Sequence, residues 1–305
     1  MSTIVGIHGI ANTFSGTAML TDDWFKALHG GLEEAGGPMI HRTDLTVVAY
    51  GPLFRLDANG KERTPRGVAQ NVRYFKTEAD WERELLAEWW KAAAELSDEN
   101  RKSGREHESG EDPHIQHPNF QGRARAPQFV QRALLQLTKS RFFRLVGPTM
   151  LISELRQVRL FLHDPAFKKA ILERLLPVIT PETKAVIGHS LGSVVAYEAL
   201  CALSNWEVDT FISLGSPLGI PNVIFDALTP KQKDGRGIWP NVKRWVNIAD
   251  RGDLVALDKD LAPFFGPVED VLIHNGWKSH DVLRYLLAPE TGHAVSRALG
   301  GGTQT

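Results

Sequence analysis

Short apolar runs alternate with amphipathic segments along most of this 305-residue chain. Several of the runs are continuous stretches of apolar and β-branched residues, which are typical of strands buried on both faces. Six runs are strand candidates: Ile4 to Ile7, Leu45 to Tyr50, Lys184 to Ile187, Thr210 to Leu214, Arg244 to Ile248 and Asp270 to Ile273. Because helical stretches lie between some of them, the alternation predicts an α/β fold: a mostly parallel sheet of about six strands flanked by helices.

The helices of this core are expected at defined places. Thr21 or Asp22 is a suitable N-cap for a first helix, which should stop near Gly36 and Gly37. Further helical segments are predicted from Leu191 to Leu203, over part of 221–232, and from Asp281 to Leu287.

Residues 51–183 do not follow this rhythm, and we interpret them as a helical cap inserted into a core made of 1–50 and 184–305. A helix is expected after Thr77 and Asp80, and it carries Trp89 among other apolar residues at helical spacing. Residues 98–127 are polar and aperiodic, which predicts a mobile loop. The pattern is helical again over 127–179, with breaks at Gly147-Pro148 and Asp164-Pro165.

Composition narrows the classes of function. A net charge of −1 argues against a nucleic-acid partner, and the single cysteine, Cys201, excludes an intrachain disulfide or a zinc site built from several cysteines. No apolar stretch reaches the ~18 residues of a membrane span. The N-terminus lacks the pattern of a signal peptide, so a cytoplasmic protein is expected.

Charge is unevenly distributed within the predicted cap. Residues 77–112 hold 12 acidic and five basic residues, whereas residues 121–170 hold ten basic and two acidic ones. Peripheral contact of the basic part with an anionic membrane is one hypothesis, and mutual attraction of the two halves is the alternative. His107, His114 and His117 lie in an aperiodic segment without a framework for metal ligands, so we predict no metal site there.

One pentapeptide, from Gly188 to Gly192, matches the G-x-S-x-G pattern of a nucleophilic serine. An apolar strand precedes it and a helix follows it, as that chemistry requires. On such a bend the hydroxyl of Ser190 projects from the sheet, and the flanking glycines relieve backbone crowding. The pattern therefore predicts Ser190 as a nucleophile.

A nucleophilic serine needs a base, and the base needs an acid to orient it. For the acid we prefer Asp253 to Asp250, because its position before Leu-Val suits a carboxylate held against the buried sheet edge. For the base we prefer His280, which opens the last predicted helix. His274, nearer the strand end, is its main rival, and His293, placed beyond the last predicted helix, is a weaker one.

An oxyanion hole is the remaining requirement of this chemistry. The backbone N–H of Leu191, directly after the nucleophile, is one expected donor. His8-Gly9 ends the first predicted strand, and the backbone N–H of Ile10 is the second expected donor.

These ordered motifs resemble the α/β-hydrolases of the lipase and esterase kind. The matching stretches are His8-Gly9, Gly188-His189-Ser190-Leu191-Gly192, Gly215-Ser216-Pro217-Leu218-Gly219, Asp253-Leu254-Val255 and His280. The resemblance implies a serine hydrolase that cleaves a carboxylic ester of a small or lipid-like acyl substrate, without metal or cofactor. Amide or thioester cleavage by the same residues, and a non-catalytic binding module of this fold, are the alternatives.

Overall fold

In a computed structural model of the chain, the described residues contain one six-stranded sheet in which every neighbouring pair is parallel. The structure describes residues 2–10, 12–55, 148–203 and 207–300, together with positions 85, 87–89, 91, 94–95 and 116. The strands are β1 (Ile4–Ile7), β2 (Leu45–Val48), β3 (Ala185–His189), β4 (Val208–Leu214), β5 (Val242–Asp250) and β6 (Glu269–Ile273). Their order is β2-β1-β3-β4-β5-β6. The predicted α/β class and all six predicted strands are therefore confirmed.

Helices cover both faces of the sheet. The α-helices of the described part are α1 (Thr17–Glu34), α2 (Pro148–His163), α3 (Pro165–Leu175), α4 (Leu191–Ala202), α5 (Ala262–Phe265), α6 (Val282–Leu287) and α7 (Pro289–Ala298). Helices α1, α6 and α7 pack together on one face, and α4 packs on the other, with α3 against it.

Side chains of each strand alternate between the two layers of the core. Ile4 and Ile187 pack with α1 and α7, whereas Val5 and Val186 pack with α4. Because both faces of these strands are buried, their sequences are continuously apolar and do not alternate between apolar and polar residues.

The first helix starts earlier than predicted. It begins at Thr17 after Gly16, so neither Thr21 nor Asp22 is its N-cap. Thr21 is instead buried within the helix, where its hydroxyl accepts a hydrogen bond from the amide of Val47 at 3.0 Å. Because β2 is an edge strand, this amide lacks a strand partner, and the threonine satisfies it.

Two further helix predictions need correction. Over 221–232 the structure has only a short 3-10 turn, Phe225–Ala227, because prolines at 221 and 230 and a positive φ of 60° at Asn222 interrupt a helix. At the C-terminus, α6 begins one residue after the predicted start, with Asp281 as its N-cap. The last predicted helix is followed by α7, which the sequence analysis did not anticipate.

Within the predicted cap, the described helices α2 and α3 begin at the two expected breaks, Pro148 and Pro165. Asp164 caps α3 by accepting from the amides of Ala166 and Phe167. The described positions between 85 and 95 are helical, and Trp89 is buried. Apart from position 116, the predicted loop at 98–127, its three histidines and most of the basic part of the cap lie outside the described residues. In the described ranges, no helix is both long and apolar enough to cross a bilayer.

Candidate functional site

The candidate residues lie at one edge of the sheet, since parallel strands all end on the same side. The chain runs outward in both directions from the central pair β1 and β3, to β2 on one side and to β4, β5 and β6 on the other. Such a switch in direction opens a crevice between the loops that leave the two central strands. Ile7 pairs with Gly188 in this register, so the loop with Gly9 begins beside Ser190.

Ser190 occupies a sharp turn between β3 and α4, with φ of 54° and ψ of −130°. A non-glycine residue persists in this conformation only where its surroundings hold it. Here the Ser190 amide donates to the Leu214 carbonyl at 3.0 Å, and the Ser190 carbonyl accepts from the amide and the hydroxyl of Ser193 at 2.9 and 2.6 Å. The strand-to-helix turn that the motif predicts is therefore present.

Glycines allow the backbone to crowd around this turn. A methyl group added at Gly9 would lie 2.7 Å from Ser190 Cβ. One added at Gly192 would collide with the carbonyl oxygens of Ile7 and His8. The start of α4 and the end of β1 are thus in direct backbone contact, which leaves room for no side chain at either glycine.

Asp253 and His280 come from the loops after β5 and β6 and are hydrogen-bonded to each other. The distance from His280 Nδ1 to Asp253 Oδ2 is 2.7 Å. The other carboxylate oxygen, Oδ1, accepts from the amides of Val255 and Ala256 at 2.9 and 3.4 Å. Since a carboxylate only accepts, Nδ1 of His280 carries the proton, and this tautomer leaves the lone pair on Nε2.

The rival residues are placed differently. Asp250 is fully buried, its carboxylate accepts from the amides of Gly252 and Asn275, and burial raises its pKa. His274 is exposed. His293 is also exposed and lies within α7, so its expected position beyond the last helix was wrong. The structure therefore brings together Asp253 and His280, and it uses Asp250 to tie β5 to the end of β6.

Tyr285 and Lys259 also donate hydrogen bonds to Asp253, one to its carboxylate and one to its backbone. The Tyr285 hydroxyl donates to Oδ2 at 2.8 Å, and the Lys259 ammonium donates to the backbone carbonyl of the same residue. Burial alone would raise the pKa of Asp253, but the neighbouring imidazole, ammonium and hydroxyl groups outweigh it and lower the pKa to about 2. The buried carboxylate is therefore ionised at neutral pH.

His189 joins the Ser190 turn to the loop that carries His280. Its Nε2 donates to the His280 carbonyl at 3.0 Å, and the two imidazole rings lie 4.6 Å apart between centroids. Burial, followed by the charge of His280, lowers the pKa of His189 well below its usual value. A neutral His189 thus fixes the His280 backbone next to Ser190.

His8 stabilises the loop on the other side of Ser190. Its Nε2 accepts from the amides of Tyr50 and Gly51 at 3.2 and 3.3 Å, so its Nδ1 carries the proton and donates to the Gly9 carbonyl at 2.6 Å. The ring stacks on that of Tyr50 at 4.1 Å. Burial lowers the pKa of His8 to about 4, which keeps the imidazole neutral.

The Gly-Ser-Pro-Leu-Gly stretch after β4 is linked to the same turn. The hydroxyl of Ser216 lies 2.7 Å from that of Ser193, and it also accepts from the Leu218 amide at 3.3 Å. Gly215 has a positive φ of 53° and lies against Asp253 and His280. This loop therefore contacts both the serine turn and the Asp253–His280 pair.

The two expected oxyanion donors flank the crevice. Leu191 is the first residue of α4, so its amide has no partner within the helix. Ile10 follows Gly9, and the carbonyls of both residues accept from the Asn12 side-chain amide at 2.9 and 3.2 Å. The Asn12 contacts are local and stabilise the conformation of this loop.

Sequence reasoning missed Tyr285, Lys259, and the hydrogen bonds and ring stacking between His8 and Tyr50. Tyr285 lies five residues after His280, at a helical position where the pattern indicates only an apolar face. His189 was visible as the second residue of the pentapeptide, but its bond to the His280 backbone depends on how two distant loops meet.

No match to this chain was found among protein-family models, curated proteins or solved structures. The assignment of a function therefore rests on the geometry of the site.

Proposed function

We propose that the protein is a serine hydrolase of the α/β-hydrolase type that cleaves a carboxylic ester through an acyl-enzyme intermediate. One observation carries the proposal: a buried, ionised Asp253 holds His280 by Nδ1, and the backbone of that histidine is bonded to the residue before Ser190. A serine held at positive φ beside such a pair is the arrangement that acyl transfer needs.

In the proposed reaction, the Ser190 hydroxyl attacks the carbonyl carbon while His280 Nε2 accepts its proton. Asp253 stays ionised and stabilises the imidazolium. The amides of Leu191 and Ile10 stabilise the oxyanion, and each such donor typically contributes about 10²- to 10³-fold in rate. The imidazolium then protonates the leaving alcohol, and water activated by the same histidine releases the acid.

A fluorophosphonate probe tests the nucleophile directly. We expect one adduct per chain, mapped by mass spectrometry to Ser190 rather than to the neighbouring Ser193. The variant Ser190→Ala should not react. His280→Ala should react far more slowly, whereas the matched variant of the exposed rival, His274→Ala, should react at the wild-type rate. A wild-type protein that forms no adduct would contradict the proposed function.

The bond that is cleaved needs a separate comparison. A p-nitrophenyl ester, an anilide and a thioester that share one acyl group differ only in the leaving group. We expect the largest kcat/KM for the ester. A larger value for the thioester or the anilide would reassign the protein to that class while leaving the residue roles unchanged.

A further inference from the structure

The Tyr285 hydroxyl connects the two aspartates at the end of β5. It accepts a hydrogen bond from the Asp250 amide at 2.8 Å and donates to Asp253 Oδ2 at 2.8 Å. Because a hydroxyl has one proton and Asp250 N is a donor, the direction of both bonds is fixed. The proton of Tyr285 therefore points at the oxygen that receives His280 Nδ1.

This oxygen accepts the Nδ1–H of the His280 imidazole at 2.7 Å. Its partner Oδ1 is bonded to backbone amides, which fixes the carboxylate at one end. The Tyr285 hydroxyl fixes the other end and shares Oδ2 with His280. A second donor on Oδ2 reduces the basicity of the carboxylate and stops it from rotating away from the imidazole.

The contact between Tyr285 and the pair depends on a glycine. A methyl group at Gly215 would lie 2.6 Å from Asp253 Oδ2, 3.1 Å from His280 Nδ1 and 3.1 Å from Tyr285 Cε2. The three groups converge where only a glycine backbone fits. The backbone carbonyl of Tyr285 in turn accepts from the Thr291 hydroxyl at 2.6 Å, so both the backbone and the hydroxyl of Tyr285 are hydrogen-bonded.

A second buried tyrosine shows what a purely structural hydroxyl looks like. Tyr197 lies on the opposite face of the sheet, and its hydroxyl donates to the backbone carbonyl of Ile238 at 2.7 Å. The hydrogen bond described for Tyr197 does not involve Ser190, Asp253 or His280. Replacement of Tyr197 removes a hydrogen bond of similar length from an equally buried tyrosine, so Tyr197→Phe is a matched control.

We propose that Tyr285 is a positioning residue, whose hydroxyl holds the Asp253 carboxylate in place so that it orients His280. Tyr285 has this role in catalysis only if Ser190, Asp253 and His280 act as proposed above. Its effect on the hydrogen bond between Asp253 and His280 is measurable in the resting protein, whether or not a substrate is known.

The test compares Tyr285→Phe with Tyr197→Phe in the full-length chain. For Tyr285→Phe we expect kcat on a p-nitrophenyl ester to fall about 10-fold or more with little change in KM, since the lost bond is to a charged group. The acid limb of the pH profile of kcat/KM should move to higher pH, because a more basic Asp253 retains the proton on the imidazole more strongly. Tyr197→Phe should change neither quantity.

Proton NMR of the His280 Nδ1–H provides a readout that does not require catalytic activity. The low-field resonance of His280 Nδ1–H, identified by its absence in His280→Gln, should shift and exchange faster in Tyr285→Phe but not in Tyr197→Phe. If this shift occurs in a protein that proves inactive, the positioning role holds and the proposed function fails. An unshifted resonance, or wild-type kcat with an unmoved acid limb, would overturn the positioning role.

Incorporation of 3-fluorotyrosine at position 285 keeps the test informative if the phenylalanine variant does not fold. The ring and hydroxyl remain, but the hydroxyl becomes a stronger donor. The acid limb should then move to lower pH, opposite to the phenylalanine variant. An unmoved limb in the fluorinated protein would count against the role of Tyr285.

Discussion

The two halves of the candidate site are built by different means. The nucleophile half consists of the loops after β1 and β3, residues 8–10 and 188–192, and backbone contact at two glycines shapes it. The acid–base half consists of the loops after β5 and β6, residues 250–253 and 274–280, and directed hydrogen bonds to carboxylates hold it together. The first half excludes added volume, whereas the second requires particular donors and acceptors.

This difference predicts how each half fails. Hydrogen bonds to buried charges are strong and directional, so an isosteric polar change should suffice to disable the acid–base half. Close backbone packing is insensitive to polarity but cannot accommodate a methyl group without moving Ser190. The predictions below test these two kinds of failure, beginning with the largest expected effect.

The largest effect is expected for Asp253→Asn. The amide offers a donor where His280 Nδ1–H needs an acceptor, so the imidazole is driven to the wrong tautomer. We expect kcat to fall about 10³- to 10⁴-fold, a loss of the size seen when a triad acid becomes an amide. Steady-state kinetics on a p-nitrophenyl ester measures this loss, together with the rate of fluorophosphonate labelling.

Asp250→Asn is the matched control for that change. Asp250 is equally buried, but its carboxylate accepts from two backbone amides rather than from the base. An asparagine loses one of these bonds, so the free energy of unfolding should fall by about 1–3 kcal/mol. The kcat of the folded protein should fall by less than about 10-fold. A larger kcat loss at Asp250 than at Asp253 would reverse the assignment of the acid.

Added side-chain volume should disable the nucleophile half. In Gly9→Ala the new methyl would lie 2.7 Å from Ser190 Cβ, so the serine turn and the loop must move apart. A displacement of this kind typically costs about 100-fold, and we expect kcat/KM to fall by that amount. Gly16→Ala is the control, because a methyl there has no neighbour within 4 Å. Equal kinetics for the two variants would show that the close approach of Gly9 is unimportant.

The contrast between the halves also explains what the sequence could predict. Most residues of β1 to β5 are buried, and their largely apolar sequences predicted these strands, while a short apolar run predicted the more exposed β6. The pentapeptide predicted the turn at Ser190 because that turn is local. The Tyr285–Asp253 bond joins residues 32 apart in sequence, and the His189–His280 bond joins residues 91 apart. Both therefore depend on how distant segments meet at the sheet edge. The start of α1 was mispredicted for a related reason. The Thr21 hydroxyl accepts a hydrogen bond from the Val47 amide of β2 instead of capping its own helix. Capping rules consider only residues near in sequence, so they cannot predict this partner.

The neutral His8 should make the nucleophile half sensitive to acid. Its pKa is about 4 in the folded protein and 6.5 ordinarily, so the unfolded chain binds more protons between these values. Stability must therefore rise with pH across that window and be lost as the pH falls from 6.5 to 4. The full difference corresponds to about 3 kcal/mol from His8.

Chemical denaturation of wild type and His8→Gln at several pH values measures the contribution of His8 to the pH dependence of stability. The variant should be less stable at pH 7, because glutamine loses the ring that stacks on Tyr50 and that places a rigid acceptor at the amides of Tyr50 and Gly51, and the difference should shrink toward pH 4. Tyr50→Phe removes a neighbouring hydrogen bond without a titrating group, so its stability curve should run parallel to that of wild type over this window. A His8→Gln curve that is also parallel would exclude His8 as the source of the acid sensitivity.

The smallest effect on catalysis is expected for Tyr50→Phe itself, and it sharpens the comparison between the halves. Tyr50 and Tyr285 are both buried, and each donates one hydroxyl bond within the site. The acceptor of Tyr50 is the neutral carbonyl of His8 at 2.6 Å, whereas that of Tyr285 is an ionised carboxylate. Loss of a neutral bond should cost about 1 kcal/mol of unfolding free energy.

Because the Tyr50 ring stays stacked on His8 and the backbone amides still bind Nε2, we expect kcat to change by less than about 3-fold. Urea denaturation and ester kinetics on the two phenylalanine variants, measured side by side, test this expectation. A kcat loss at Tyr50 as large as that at Tyr285 would mean that directed hydrogen bonds govern the nucleophile half as well. The distinction between a half fixed by backbone packing and a half fixed by hydrogen bonds to charge would then be wrong.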